Sequence, residues 1–136
     1  MPINFKSIPK ILIFNYPNSN EYRMVNITEK KLIGKMSVEE RLDLFISDLD
    51  IVKSEQHKGY GSLFIEFAKK LSMKKGLGGR LRVLAGPKLG FEPPHIFYRK
   101  LGFTTTDKKM LEKIDDCIKN NKRLKLEDTK VLYMTC

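Results

Sequence analysis

Cysteine and histidine are scarce in this sequence. The 136 residues include two cysteines, Cys117 and Cys136, and two histidines, His57 and His95. A disulfide framework needs more cysteines, and a zinc site needs further cysteine or histidine ligands nearby. The composition therefore argues against a disulfide-stapled domain, and we predict no structural metal.

Long hydrophobic runs are also missing. No apolar stretch approaches the ~18 residues that a membrane-spanning helix requires. The N-terminal stretch MPINFKSIPKILIFNY has a short apolar patch but no small-residue cleavage site, and its prolines would break a signal-like helix. We therefore expect no targeting segment and no membrane partner, and hence a cytoplasmic protein.

Acidic residues are outnumbered by basic ones. There are 16 Asp and Glu against 26 Lys and Arg, which gives a formal net charge of +10 at pH 7. This balance favours anionic partners such as nucleic acid, an acidic protein surface or a phosphorylated cofactor. Because the charge is spread along the chain, an ordinary solvated lysine-rich surface is an equal alternative.

The hydrophobic pattern predicts strands first and helices later. Alternating residues between turn clusters indicate an antiparallel meander, with strands at 11–16, 22–28, 32–38 and 42–52. The spacing then becomes helical over 61–75. The remaining predicted elements are a strand at 80–85, a short helix at 95–101, an extended segment at 103–106, a helix at 108–121 and a strand at 129–135. This order predicts a single α+β domain, residues 1–136, on one mixed sheet.

The stretch SEQHKGYGSLF, residues 54–64, joins the meander to the first predicted helix. The first turn of a helix exposes unpaired backbone N–H groups and the positive end of the dipole. Gly59 and Gly61 would let a phosphate approach that backbone closely. A P-loop would need Gly-Lys-Ser/Thr here, and a dinucleotide fingerprint would need glycine in place of Phe64. Neither fits, and a simple tight turn is the alternative to a phosphate cradle.

The string QHKGYG at 56–61 resembles the (Gln/Arg)-x-x-Gly-x-(Gly/Ala) acyl-CoA loop of the GNAT acetyltransferase superfamily. FYRKLGF at 97–103 is similar to the FYxKxGF segment of that family's late helix, and the two motifs occur in family order. The resemblance implies a GNAT-like central mixed, mostly antiparallel sheet with flanking helices. The chain before residue 22 leaves no clear room for the usual pair of N-terminal helices, so we expect these to be lacking or shortened. The proline-rich loop at 86–94 departs from the family pattern and could shape the acceptor site.

The resemblance also implies which residues bind acetyl-CoA. Backbone N–H groups of the glycine loop would hold the CoA pyrophosphate, and the edge of the fourth strand would pair with the pantetheine arm like an added strand. The implied cofactor-binding residues are Leu49, Asp50, Ile51, Gln56, His57, Lys58, Gly59, Tyr60, Gly61 and Ser62. Tyr98 matches the family position whose phenol often protonates the departing thiolate, and a purely core aromatic is its alternative.

A general base is harder to assign. Acyl transfer to an amine needs proton removal, since a lysine amine has a reference pKa of about 10.4. Histone-modifying family members carry a glutamate midway along the fourth strand, where this chain has Phe45. Asp43 shares a strand face with Phe45 because side chains alternate, and we take it as the catalytic candidate.

Four other polar residues are weighed as bases. Ser47 lies on the face of Asp43, whereas Asp48 and Asp50 lie on the other face unless a bulge re-aims them. His95, at the start of the late helix, is a further candidate. Each has an ordinary alternative, as an exposed strand residue or as a polar group at a helix start.

Together these observations predict an acetyl-CoA-dependent N-acetyltransferase that moves an acetyl group to a primary amine by direct transfer in a ternary complex. An acyl-CoA-binding relic without turnover is one alternative. A basic nucleic-acid- or partner-binding module is another, suggested by the cluster Lys119, Lys122, Arg123 and Lys125. The size of the amine acceptor is left open, up to a macromolecule, and the last strand offers an edge for a homodimer.

Overall fold

A six-stranded sheet forms the centre of the structure, a computed structural model that describes residues 10–87 and 92–136. The strands lie side by side in chain order: β1 (Ile11–Asn15), β2 (Glu21–Asn26), β3 (Lys31–Glu40), β4 (Leu44–Ile51), β5 (Leu81–Ala85) and β6 (Leu132–Thr135). β4 and β5 pair in parallel, and the other neighbouring pairs are antiparallel. The predicted mixed, mostly antiparallel sheet is thereby confirmed.

Three α-helices flank this sheet. They are α1 (Tyr60–Lys74), α2 (His95–Lys100) and α3 (Lys108–Lys119), and α1 provides the crossover that a parallel β4–β5 pair requires. Helix α3 begins at a conventional cap, because the Asp107 carboxylate accepts a hydrogen bond from the Met110 N–H at 3.0 Å. Every predicted element is present within a few residues, except that the extended segment at 103–106 is reduced to one bridge between Thr104 and Thr135.

One face of the sheet carries the hydrophobic core. Alternate strand residues point to this face, and α1 and α3 cover them with an apolar stripe of their own. The fully buried side chains include Met24, Ile33, Met36, Leu44, Leu81, Val83, Met134, Phe64, Ile65, Phe103 and Ile114. Burying each such side chain contributes ~1.5–3 kcal/mol relative to leaving it in water, so this face decides the register of every strand.

The opposite face carries a smaller cluster of aromatic rings and arginines. The rings of Phe45 and Tyr133 lie 6.0 Å apart, and the Arg82 guanidinium lies 5.5 and 5.4 Å from their centroids. Arg41 covers Phe45 from another side, at 4.7 Å. Phe45 is thus buried under side chains of the sheet itself.

The first two strands form a hairpin. Residues 16–20 connect β1 to β2, and Asn18 adopts a left-handed conformation in that turn, with φ 62°. No helix separates these strands, as expected from the short N-terminal sequence. Residues 88–91 of the loop that could shape the acceptor site, and residues 1–9, lie outside the described residues.

Candidate active site

β4 and β5 separate after a short paired stretch. Pairing covers Leu44–Ile46 on β4 and Leu81–Val83 on β5, yet β4 continues to Ile51. Within the described ranges, the second half of β4 therefore has no strand partner on its β5 side. Backbone N–H and C=O groups along that half face a gap, into which an extended ligand can pair as an added strand.

A β-bulge lies where the two strands separate. Ser37 of β3 pairs with Asp48, whereas the next residue, Val38, pairs with Ile46. Ser47 is therefore an extra residue in β4, opposed by no single partner on β3. A bulge of this kind reverses the inward–outward alternation for the rest of the strand.

The reversal decides which acids face which way. Beyond the bulge, Leu49 and Ile51 pack against the core. Asp48 and Asp50 consequently share the face of Phe45. Simple alternation had placed both aspartates on the other face, and the bulge corrects that placement.

Tyr98 lies on α2. It is 6% exposed, and its ring lies 5.4 Å from the rings of both Phe97 and Phe103. Burial, and then the charges of Asp48 and Asp50, raise the pKa of the Tyr98 phenol well above its usual value of about 10. The phenol therefore stays protonated at neutral pH, within the electrostatic influence of two carboxylates of the splayed strand.

Asp43 occupies a different environment. It lies just before β4, at the end where β4 and β5 are paired, and its Oδ1 is 3.1 Å from a guanidinium nitrogen of Arg82. That arginine also holds the Phe45–Tyr133 cluster together. The charges of Asp48 and Asp50 thus act on Tyr98, and Asp43 forms an ion pair with Arg82.

Helix α1 begins with open backbone donors. The N-cap is Gly59, with φ 88°, and its carbonyl accepts the first helical hydrogen bond, from Leu63 N–H at 3.1 Å. In residues 10–87 and 92–136, no group accepts from the N–H of Tyr60, Gly61 or Ser62. The first turn also contains no acidic residue. Its positive end is therefore uncompensated within the described chain, which suits an anion.

Gly59 and Gly61 are each required to be glycine, for different structural reasons. Gly59 needs its freedom at positive φ, which other residues adopt at a cost. At Gly61, a side-chain Cβ would lie 2.8 Å from the Cζ atom of Phe97. The missing side chain of Gly61 thus makes room for α2, the helix that carries Tyr98.

The residues before Gly59 are tied down individually. The Gln56 amide donates to the Ile51 carbonyl at 3.0 Å and so joins the loop to the end of β4. His57 adopts a left-handed conformation, with φ 62°. Lys58 binds the buried carboxylate of Glu55, at 2.9 Å. Gln56 and Lys58 thus both stabilise the loop geometry.

His95 is completely buried at the start of α2. Its Nε2–H donates to the Lys130 carbonyl at 3.0 Å, and its Nδ1 has no partner among the described residues. Burial lowers the pKa of this imidazole, so it is neutral at physiological pH. Its hydrogen bond to the segment before β6 gives it a structural role.

The described residues form neither a membrane-spanning helix nor a cluster of metal ligands. No helix there is long and apolar enough to cross a membrane. Among residues 10–87 and 92–136, no three His, Cys, Asp or Glu side chains converge as metal ligands would. Cys117 is half-buried and Cys136 exposed, and both are free thiols.

No protein-family model and no curated protein sequence matches the chain. Solved structures do. Nourseothricin acetyltransferase superposes with a TM-score of 0.59 and 20% identity, over 88% of this chain and 65% of that one. The PaiA N-acetyltransferase from Thermoplasma acidophilum, in complex with coenzyme A, gives 0.57 and 18%, over 85% and 58%. The IAA acetyltransferase from Bacillus cereus gives 0.58 and 16%, over 85% and 75%.

The chain has the GNAT acetyltransferase fold. The resemblance seen in QHKGYG and FYRKLGF is thereby confirmed at the level of the fold. The chain spans 65% and 58% of the lengths of the first two neighbours, less than two thirds of either. The similarity therefore establishes the fold of this chain, and the activities and ligands named above are those of the neighbours.

Within this GNAT fold, sequence reasoning left one placement conditional on a bulge and missed one residue. The outward placement of Asp48 and Asp50 depends on a bulge, and one extra residue in an alternating strand gives no signal of its own. Glu55 has the composition of an exposed turn residue, yet it is 2% exposed because lysines from two segments enclose it.

Proposed function

We propose that the chain is an acetyl-CoA-dependent N-acetyltransferase that passes an acetyl group directly to a primary amine in a ternary complex. The observation that carries this proposal is the separation of β4 from β5 beyond Ile46. That gap adjoins the open first turn of α1, and the acids along it influence the buried phenol of Tyr98. We therefore assign three features to one site: backbone N–H groups that could bind a phosphate, an unpaired strand edge, and acid–base groups.

Acetyl-CoA would be held by backbone groups. The N–H groups at the start of α1, with the loop from Gln56 to Ser62, would bind the pyrophosphate. The edge formed by Leu49, Asp50 and Ile51 would pair with the amides of the pantetheine arm. A backbone N–H of the same edge would donate to the thioester carbonyl and stabilise the oxyanion that develops there.

The amine must lose a proton before it attacks the thioester carbonyl. We propose that Asp48 or Asp50 accepts this proton, directly or through a water molecule, since both lie beyond the point where β4 and β5 separate and their charges act on the Tyr98 phenol. Asp48 and Asp50 are preferred to Asp43 in this proposal because their charges act on the Tyr98 phenol. The C–N bond forms as the C–S bond breaks, and the electron pair of the latter leaves with the thiolate.

Tyr98 would assist the departing thiolate. A thiol has a pKa of about 8.5, well below that of this buried phenol, so complete transfer of the phenolic proton is unfavourable in the free protein. Donation of a hydrogen bond from the protonated hydroxyl is the favourable form of assistance. The proton released by the amine can then neutralise the thiolate.

The acceptor is an amine whose size is open. A short turn, and no helix, connects β1 to β2 where the chain of GNAT proteins usually forms helices that wall the cleft, so a macromolecular amine could reach the gap. The exposed bases Lys119, Lys122 and Lys125 could attract an anionic acceptor such as an RNA or an RNA-bound protein. A homodimer could form through the exposed edge of β6. Only part of that edge is available, because Thr135 already exchanges both backbone hydrogen bonds with Thr104.

The proposal is tested by following thiol release from acetyl-CoA in the presence of a panel of small amines, polyamines and lysine peptides. We expect amine-dependent release that Asp48→Asn or Asp50→Asn lowers more than Asp43→Asn does. CoA binding without release under any condition would indicate a non-catalytic acyl-CoA-binding protein. Neither binding nor release, with salt-sensitive binding of RNA, would favour the nucleic-acid module.

A further inference from the structure

Glu55 is a buried carboxylate that the proposed reaction does not use. Its side chain is 3% exposed, and it contacts two ammonium groups, Lys31 Nζ at 2.5 Å and Lys58 Nζ at 2.9 Å. These two hydrogen bonds hold the pKa of Glu55 below its usual range. The residue is therefore a fixed negative charge between β3, where Lys31 begins the strand, and the loop that precedes α1.

The loop needs such a restraint. His57 holds a left-handed φ of 62°, which costs a non-glycine residue free energy, and Gly59 is flexible. The Gln56 amide fixes the beginning of the loop to the Ile51 carbonyl. Among the described residues, the second side-chain tie is the ion pair of Lys58 with Glu55.

The two lysines differ in how they are held. Lys31 has a second acidic partner, the exposed Glu29, at 2.6 Å. Lys58 is 52% exposed and has Glu55 alone as an acidic partner within residues 10–87 and 92–136. Loss of the Glu55 charge would thus free Lys58 and its loop, while Lys31 would stay anchored.

We propose that Glu55 is a positioning residue for acetyl-CoA binding: through Lys58 it holds the loop at 56–59 in the conformation that leaves the first-turn N–H groups of α1 open. This inference rests on the proposed function. Glu55 itself touches no reacting atom. Its contribution is to keep the binding-competent loop populated before the ligand arrives, which lowers the apparent Kd.

An alternative role for Glu55 predicts the opposite effect on CoA affinity when its charge is removed. If Glu55 merely neutralises Lys58, its removal would release a cation beside the pyrophosphate and tighten binding. Glu55→Gln separates the two, because it keeps the size of the side chain and removes its charge. The matched control is Glu29→Gln, which removes the exposed partner of Lys31 and leaves the loop untouched.

The experiment measures Kd for CoA by calorimetry, and KM and kcat for acetyl-CoA, in the native chain and both variants. We expect Glu55→Gln to raise Kd and KM by about tenfold with kcat nearly unchanged, through loss of the competent loop population. Glu29→Gln should stay within about twofold of the native chain, as exposed ion pairs contribute little. Equal or tighter binding by a folded Glu55→Gln variant would overturn the inference.

A second comparison covers the case in which Glu55→Gln fails to fold. Lys58→Met and the double variant Glu55→Gln/Lys58→Met contain no unpaired Lys58 ammonium. If the two residues act as one unit, both variants should bind CoA equally weakly. Weaker binding by the double variant than by Lys58→Met alone would contradict the proposal. No CoA binding by the native chain would instead refute the proposed function itself.

Discussion

Replacing Gly61 with alanine probes how the loop and α2 are joined. Gly61 has a helical backbone, so alanine would ordinarily stabilise α1 there by about 0.5–1 kcal/mol. In the native structure, however, the new Cβ would lie 2.8 Å from Phe97 Cζ and 3.3 Å from Phe97 Cε1. A comfortable carbon–carbon contact is about 3.5 Å or more, so the ring and α2 must retreat by about 0.7 Å.

Such overpacking costs roughly 1–3 kcal/mol, which outweighs the gain in helix propensity. We therefore expect Gly61→Ala to destabilise the native chain by about 1–2 kcal/mol in urea unfolding. In a Phe97→Leu background the obstructing ring atoms are gone, and the same substitution should stabilise the chain by about 0.5 kcal/mol. The sign of the alanine effect thus depends on residue 97.

A double-mutant cycle measures this dependence directly. It compares the urea midpoints, at constant m-value, of the native chain, the two single variants Gly61→Ala and Phe97→Leu, and the double variant. A stabilising Gly61→Ala in the native background, or a destabilising one that Phe97→Leu leaves unchanged, would refute the packing argument. CoA titrations of the same four chains separate packing from ligand approach. Weak binding by Gly61→Ala that Phe97→Leu restores would assign the glycine to α2 packing.

Four further predictions concern single residues. Tyr98→Phe keeps the buried ring, so unfolding should change little while acetyl transfer falls by roughly a hundredfold, and unchanged turnover would reduce Tyr98 to a core aromatic. His57→Gly removes the left-handed strain and should raise the free energy of unfolding by about 0.5–1 kcal/mol, whereas destabilisation would contradict the strain argument. Gly34→Ala would place a Cβ 2.5 Å from the Asp50 carbonyl oxygen, so unfolding in urea should show a loss of at least about 2 kcal/mol. Burial lowers the pKa of His95, so below about pH 6.5 the unfolded chain binds more protons than the folded chain does. The free energy of unfolding should therefore decline by up to about 1.4 kcal/mol for each pH unit below that value. In His95→Gln this decline should disappear.

The elements and the position of the glycine loop at a strand–helix junction followed from local patterns. Alternation along β2 and β3 and the helical spacing after Gly61 reflect one buried sheet face, and a single sequence records that directly. The two motifs lie at a strand–helix junction and on a short helix, where local geometry and residue type are tightly linked. Their roles in the reaction are still predictions.

The acid–base assignment did not follow from local patterns, because it depends on pairing between strands. Ser47 becomes a bulge through its register against β3, and that shift moves Asp48 and Asp50 to the face of Phe45. Glu55 is likewise buried by Lys31, a residue distant in sequence. Such contacts between separate segments carry little signal in one sequence.

The measurement that tests the account most directly is CoA binding by the native chain and by Ser62→Glu. Glutamate at this third helical position favours the α1 start, so folding should be kept or improved. Its charge would oppose the pyrophosphate: at ~6 Å and an effective dielectric near 20, one pair of unit charges costs about 3 kcal/mol, roughly a hundredfold in Kd. Thr106→Glu adds the same charge at an exposed site before α3 and serves as the control.

We predict by calorimetry that the native chain and Thr106→Glu bind CoA alike and that a folded Ser62→Glu binds at least tenfold more weakly. Equal binding by all three chains, or no binding by the native chain, would contradict the placement of the CoA pyrophosphate at the start of α1.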